Sequence, residues 1–328
     1  MAIPTNTYTR VSAGANGVGG VREDLIEKIT MTSPEKTPII SSCGTGIAEN
    51  SYHEWQRDSL RAFNKDNAVL DGDDASASAK SKPSRVANTC QIFQDTISIS
   101  GRTEKVKKAG MKTAMAYFKA KAYKEMQRDM EAAVVSKNLA VEDNGTLAGK
   151  FAGLGRLIYT NALHNGAGAT PAHTSGAATS AITAGTNRTF TEALLKTAVQ
   201  NVYTSAGEVP SEVYMSPAHK TLFSAFTGIA STRINTNVTA KQQAVIMSGA
   251  DVYVSDFGQL SIVPHYVMAS SDMVLGLNTD YIDMVYLRGF TAKPLSKTGD
   301  SEREQVLVDA TLRVTSEVAQ FKIDNLTP

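Results

Sequence analysis

Two runs decide how this chain is read: Tyr52-His53-Glu54-Trp55-Gln56-Arg57, and Val86 to Ser100, where Ile97 and Ile99 alternate with Ser98 and Ser100. Both have the pattern of strands. Between them Ser59 to Arg85 is polar, rich in Asp, Ala, Ser and Lys. Compact domains rarely keep a connection that long without a use for it. Two strands running out to a polar tip and back predict a long projecting hairpin. Such an arm cannot bury its own faces and needs a partner surface. The residues expected to meet that partner are Trp55, Asp58, Asp71, Asp73, Asp74, Lys80, Lys82 and Arg85. The acidic ones precede the turn and the basic ones come after it, so a neighbour's patch of either sign could be matched.

Outward from the hairpin, residues 1–20 are Thr-, Gly- and Ala-rich without a period, which predicts a flexible arm. Val21 to Thr30, with Leu25, Ile26 and Ile29 at helical spacing, predicts a short helix. Pro34 and Pro38 then break the chain. On the other side, 102–140 predicts one long helix, with a stripe of Met111, Met115, Phe118, Ala122, Met126 and Ala133. Asn144-Gly145 is expected to end it. Thr189-Phe190-Thr191-Glu192 fits a capping box opening a helix that Gly207 closes. Ser216-Pro217 fits an N-cap with proline at the first helical position. From 251 the chain turns to short strands, and Val306, Val308, Ala310, Leu312 and Val314 alternate as in a half-buried strand.

Composition narrows function mainly by exclusion. The chain has 328 residues, 42% hydrophobic and 20% charged, with 33 basic and 32 acidic residues and a net charge of +1. Any nucleic-acid footprint must therefore be local. Met1 to Gly20 has no apolar run, so no secretory signal is expected, and no stretch approaches the ~20 apolar residues of a membrane helix. Cys43 and Cys90 are expected to be reduced thiols. Gly145-Thr146-Leu147-Ala148-Gly149-Lys150-Phe151 fails as a phosphate loop: three residues separate the glycines and Phe151 comes after the lysine. The five histidines have no metal-ligand spacing, no Ser lies in a nucleophile elbow, and the acidic cluster around Gly72 lacks a calcium-loop pattern. No catalytic residue, metal or cofactor is expected.

One local charge asymmetry remains. Between 102 and 128 nine basic residues, Lys105, Lys108, Lys112 and Lys119 among them, face only Glu104 and Glu125. This permits a second class of function, a nucleic-acid-binding protein working through the basic helix 102–128.

The order of parts resembles the major capsid proteins of tailed bacteriophages, the Hong Kong 97-like fold. Tyr52 to Leu60 is similar to the "EW…DSL" stretch that opens the extended loop in one capsid family, whose members include those of SU-ten-like phages. Thr298-Gly299-Asp300-Ser301 before the alternating strand is similar to that family's closing "TGDS" segment, and Leu25 through Ile40 to its N-terminal helix and turn. The resemblance implies an α+β fold: an N-terminal arm (1–50), an extended loop (51–100) and a peripheral-domain spine helix (101–145). An axial α/β domain (146–270) and peripheral strands with the C-terminus (271–328) complete it. It implies a virion protein, assembled in the host cytoplasm, that joins copies of itself as hexamers and pentamers around double-stranded DNA. Portal, scaffolding and decoration proteins are further partners it implies; a membrane is not. On this reading Lys105, Lys108, Lys112 and Lys119 would face DNA. Lys65, Lys80 and Lys82 are candidate cross-linking lysines by position only, and no covalent cross-linking is expected.

Overall fold

The computed structural model describes residues 29, 31–34, 36–74, 80–226, 251–297 and 299–328. The arm expected over 1–20 lies outside them, as do Thr298 and the expected helix over 21–30 apart from Ile29.

The alternating run lies on the longest strand, β11 (Ser301–Val314). It is an inner strand of a four-stranded sheet ordered β1 (Gly44–Ile47), β10 (Ile282–Pro294), β11 and β4 (Gln91–Ser100). β1 runs parallel to β10, and the other pairs are antiparallel, in register from Ser301 opposite Ser100 to Ala310 opposite Gln91 along β4. One face carries helix α3 (Ala114–Val134), whose Ala122, Met126, Met130 and Val134 share a core with Phe93, Ile97, Val306 and Val308.

The expected half-burial of this strand is corrected: from Val306 to Leu312 both faces of β11 are buried. The second face is covered by a two-stranded sheet, β2 (Tyr52–Arg57) with β3 (Ser84–Thr89). The run Val86 to Ser100 is thus two strands, broken at Cys90. Its first part returns from the hairpin and its second joins the large sheet. Ala48, Cys90 and Val285 form a small apolar cluster between the layers.

The single helix expected over 102–140 is also corrected. A short helix α2 (Gly101–Lys105) is succeeded by a loop, and α3 begins only at Ala114 and ends at Val134, ahead of Asn144-Gly145. At ~1.5 Å per residue α3 is about 31 Å long. The break has two local causes. Gly110 has φ +75°, and a Cβ there would come within 2.8 Å of Ile29. Glu104 reaches back to accept the Ala114 N–H at 3.1 Å, so the side chain of one helix satisfies a free donor of the next. Phe118, expected in the buried stripe, is 38% exposed.

The remaining strands form a six-stranded sheet ordered β5 (Ala162–Leu163), β12 (Phe321–Ile323), β9 (Val274–Leu277), β6 (Glu212–Met215), β8 (Gly258–Pro264) and β7 (Val252–Ser255). Helices α5 (Glu192–Ala206) and α6 (Pro217–Ser224) share its core, with Leu195, Val199 and Val202 meeting Val213, Phe223 and Phe321. Gly207 caps α5 at φ +73°, and the Ser216 side chain caps α6 through the His219 N–H, both as expected. The capping box does not form. Thr191, not Thr189, is the N-cap, and Glu192 pairs with Lys196 at 2.9 Å instead. Residues 271–328 do not stay in one sheet: β9 and β12 join the six-stranded sheet, while β10 and β11 join the four-stranded one.

Candidate functional site

The hairpin is built differently at its root and along its length. At the root, six residue pairs from Tyr52–Thr89 to Arg57–Ser84 form the ladder. Asn88 is buried, and its amide serves four backbone groups. It donates to the carbonyls of Leu312 (2.8 Å) and Ala152 (3.3 Å), and accepts from the N–H groups of Ala152 (2.8 Å) and Thr89 (3.1 Å). Thr311 donates its hydroxyl to the Thr89 carbonyl at 2.9 Å. The segment behind β3 adds the Gly176 carbonyl, which accepts the Ala87 N–H at 2.9 Å. Trp55, expected at an inter-subunit contact, is instead buried, and its indole N–H donates to the Val314 carbonyl at 3.1 Å. That bond ties the root to β11 of its own subunit.

Arg57 ends β2 beside Glu317 (4.0 Å) and the Tyr159 hydroxyl (3.5 Å). His173 packs on Tyr159 with ring centroids 4.7 Å apart. Burial first, then the charges of Arg156 and Arg57, push its pKa down to about 4, so it stays neutral.

Beyond the root the chain has no strand or helix among the described residues from 58 to 83. Asp71, Asp73 and Asp74 surround a turn at Gly72, and Asp58, Lys80 and Lys82 are exposed. Arg85 already lies 3.9 Å from Glu54, an exposed pair worth ~0–1 kcal/mol. The sequence reading missed the apolar residues here. Leu60 is 99% exposed, Phe63 98%, Val69 76% and Leu70 81%. Large apolar side chains clustered in the open mark an interaction surface. The sequence shows these four residues within a loop otherwise read as polar, but their exposure is visible only in the structure.

The basic segment is divided by its own chain. Lys119 pairs with Glu304 on β11. Lys108 donates to the Glu104 carbonyl at 3.2 Å and lies 3.9 Å from its carboxylate. Lys105 is exposed and adds to the field that, after Lys297, holds the Glu302 carboxyl below its ordinary range. Lys112 is exposed and makes no ion pair among the described residues. Two of the four lysines expected to face DNA are therefore engaged by carboxylates, one across to β11 and one within its own turn of chain. The alternative partners Glu23, Asp24 and Glu27 lie outside the described residues.

A second anchoring point lies in the interior. The buried Glu131 carboxylate of α3 accepts the N–H groups of Ile39 (2.9 Å) and Ile40 (3.0 Å) at the start of α1 (Pro38–Ser42), and lies 2.7 Å from His265 Nε2 at the end of β8. Under the six-stranded sheet, Lys322 is buried against the Gly155 carbonyl (2.6 Å) and Thr170 (2.7 Å). Burial lowers its pKa to about 8 despite Asp324 beside it. These groups tie segments together. Among the described residues no His, Cys, Asp or Glu cluster could hold a metal ion, and no helix is long and apolar enough to cross a membrane.

This arrangement is that of a shell-forming phage capsid protein. Solved structures with the same fold include a cyanophage A-1(L) capsid asymmetric unit (TM-score 0.65, 12% identity, 98% of this chain and 100% of that one). A Gordonia phage Cozz chain gives TM-score 0.58 at 11% identity over 98% and 99%. The capsid of a native GTA particle gives TM-score 0.59 at 11% over 97% and 99%. More particularly, the chain belongs to the SU10 major capsid protein family, which matches residues 3–327. A major capsid protein of Escherichia phage Phieco32 is 28% identical over 109 residues, which is 33% of this chain and about a third (31%) of that protein's length. The fold is accordingly the α+β, Hong Kong 97-like one. The comparisons give no support to a nucleic-acid binder working through 102–128.

Proposed function

We propose that copies of this chain, joined as hexamers and pentamers, close into an icosahedral shell around double-stranded DNA. The chain acts through contacts rather than catalysis. The observation that carries this reading is the excursion over 58–83, which leaves an anchored root and exposes four large apolar residues. A monomer in water gains nothing from that exposure, whereas a lattice of copies would cover it. On this reading the four-stranded sheet with α3 is the peripheral domain, and the six-stranded sheet with α5 and α6 is the axial domain. The outer charges Asp58, Asp71, Asp73, Asp74, Lys80 and Lys82 meet neighbouring subunits. Assembly belongs to the host cytoplasm, and portal, scaffolding and decoration proteins would be the other partners.

Lys105 and Lys112 are the lysines best placed to meet packaged DNA. Such contacts would be to phosphates and blind to sequence. They would also be weak, since a sticky lumen would stall DNA entry. Negative-stain microscopy of the overexpressed protein tests the main reading. Shells, tubes or capsomers are expected, and a protein that light scattering finds strictly monomeric under every assembly condition would overturn it.

A further inference from the structure

We propose that the cavity between the hairpin root and the loop 142–149 binds a small aliphatic ammonium ion, a diamine with a few carbons between its charges. The site is separate from the contacts between copies invoked above and needs no neighbouring subunit.

The cavity has a volume of about 220 Å³. Thr89, at the end of β3, and Asp309, on β11, lie deep in its lining, each 4% exposed, while Glu142 and Asp143 stand at an exposed rim. The loop that carries the rim is closed on itself, since Val141 and Lys150 exchange backbone hydrogen bonds of 2.9 Å in both directions. Gly149 lets it approach the root, because a Cβ there would come within 3.1 Å of the Cys90 carbonyl oxygen. Two deep polar atoms are left without a partner in the chain, Asp309 Oδ1 and Thr89 Oγ1. Buried polar atoms are normally hydrogen-bonded, so this pair calls for a donor from outside. Arg288 reaches only the other Asp309 oxygen, at 3.2 Å.

Charge and size select the ligand. The lining holds the carboxylates of Asp309, Glu142 and Asp143 and no basic residue, and Lys150, adjacent in sequence, is exposed and does not line it. Even with Arg288 counted, negative charge is in excess. Neighbouring groups feel it: burial and then Asp309 push the Cys90 thiol up to about 11, and burial and then Glu142 raise the Tyr52 phenol. The carboxylates do not converge as a metal ion requires. An ammonium group has three donors and no acceptor, which suits an open carboxylate oxygen and an open hydroxyl. A second ammonium would meet the rim carboxylates. Between them Ile92, opposite Asp309 in the ladder and 53% exposed, and Ala148 offer apolar surface to a methylene stem. Pockets for drug-sized ligands run to ~300–1,000 Å³, so this one suits a ligand of only a few heavy atoms.

Equilibrium dialysis of the full chain against radiolabelled diaminobutane, at constant ionic strength, tests the proposal. Saturable uptake at a single site per chain is expected, displaced by unlabelled diaminobutane but not by butanediol or magnesium chloride. Glu142→Gln with Asp143→Asn should weaken binding about tenfold. Both positions are exposed, and Asn keeps the oxygen that accepts the Gly145 N–H at 2.9 Å, so circular dichroism should be unchanged. Thr89→Val, which keeps the shape and removes the hydroxyl, should weaken binding as well; if that variant does not fold, the rim variant decides alone. Absence of saturable uptake, equal displacement by butanediol or magnesium, or unchanged affinity in the rim variant would each overturn the proposal. Uptake by the unassembled chain but not by shells would overturn it too, because a neighbour's side chain would then fill the cavity.

Discussion

The root of the hairpin and the excursion that leaves it are adjacent in sequence but differ in how their side chains are satisfied. Across 52–57 and 84–89 the polar groups of Asn88 and Trp55 are consumed by backbone of the same chain. Across 58–83 the conspicuous side chains are uncovered, from Leu60 to Leu70. A short stretch of sequence thus separates residues that stabilise the subunit from residues available only to a neighbour. Substitutions at the root should alter the stability of the monomer, and those in the excursion should alter assembly alone.

The largest effect on the monomer is expected from Asn88→Ala. It leaves the Ala152 and Leu312 carbonyls and two N–H groups without their partner in a buried place, costing about 3 kcal/mol. Urea unfolding measures this, and an unchanged midpoint would break the contrast.

Next is a pH effect at His173. Its pKa falls from 6.5 to about 4 in the fold, so between those values the unfolded chain binds more protons. The stability it contributes is present above about pH 6.5 and is lost as the pH falls toward 4. The loss is on the order of 2 kcal/mol. Thermal melts of the protein and of His173→Gln should diverge in acid, and parallel curves would remove His173 from the root's support.

Trp55→Phe keeps an aromatic ring but loses the indole hydrogen bond and some buried volume, so about 1.5 kcal/mol is expected by the same measurement. The smallest change, within about 0.5 kcal/mol, is expected from reversing Asp71, Asp73 and Asp74 to Lys. Shell yield scored by microscopy should nonetheless fall, and normal shells from that variant would remove these carboxylates from the interface.

Features that depend on local spacing were legible in the sequence. The bounds of β2, the alternation on β11, the Ser216-Pro217 cap and the Gly207 stop are all dictated by neighbours in the chain. The family resemblance organised them into one fold. The features that escaped reading depended on distant segments. Whether Gly110 interrupts a helix is decided by Glu104 reaching Ala114 and by Ile29 packing above it. The alternation on β11 cannot reveal that β2 and β3 cover its polar face. Glu131 lies within an apolar stripe, and only residues 39, 40 and 265 explain its presence there. In the candidate surface the charges were visible, but the exposure of Phe63 and Phe118 was not, since a hydrophobic residue is read as core until its surroundings are known.

The Glu131 carboxylate also bears on the order in which the chain folds. Its partners lie 92, 91 and 134 residues away in sequence. Each contact closes a long loop, and that closure precedes any gain from the contact. The carboxylate cannot leave water before α1 and the end of β8 have both arrived, so the start of the described arm docks late in folding and is released early in unfolding. The Ile39 and Ile40 amides should accordingly exchange with solvent deuterium before those of α3, through partial openings that leave the four-stranded sheet intact. Exchange of those amides in step with the core would instead mean that the arm and the core fold as one unit.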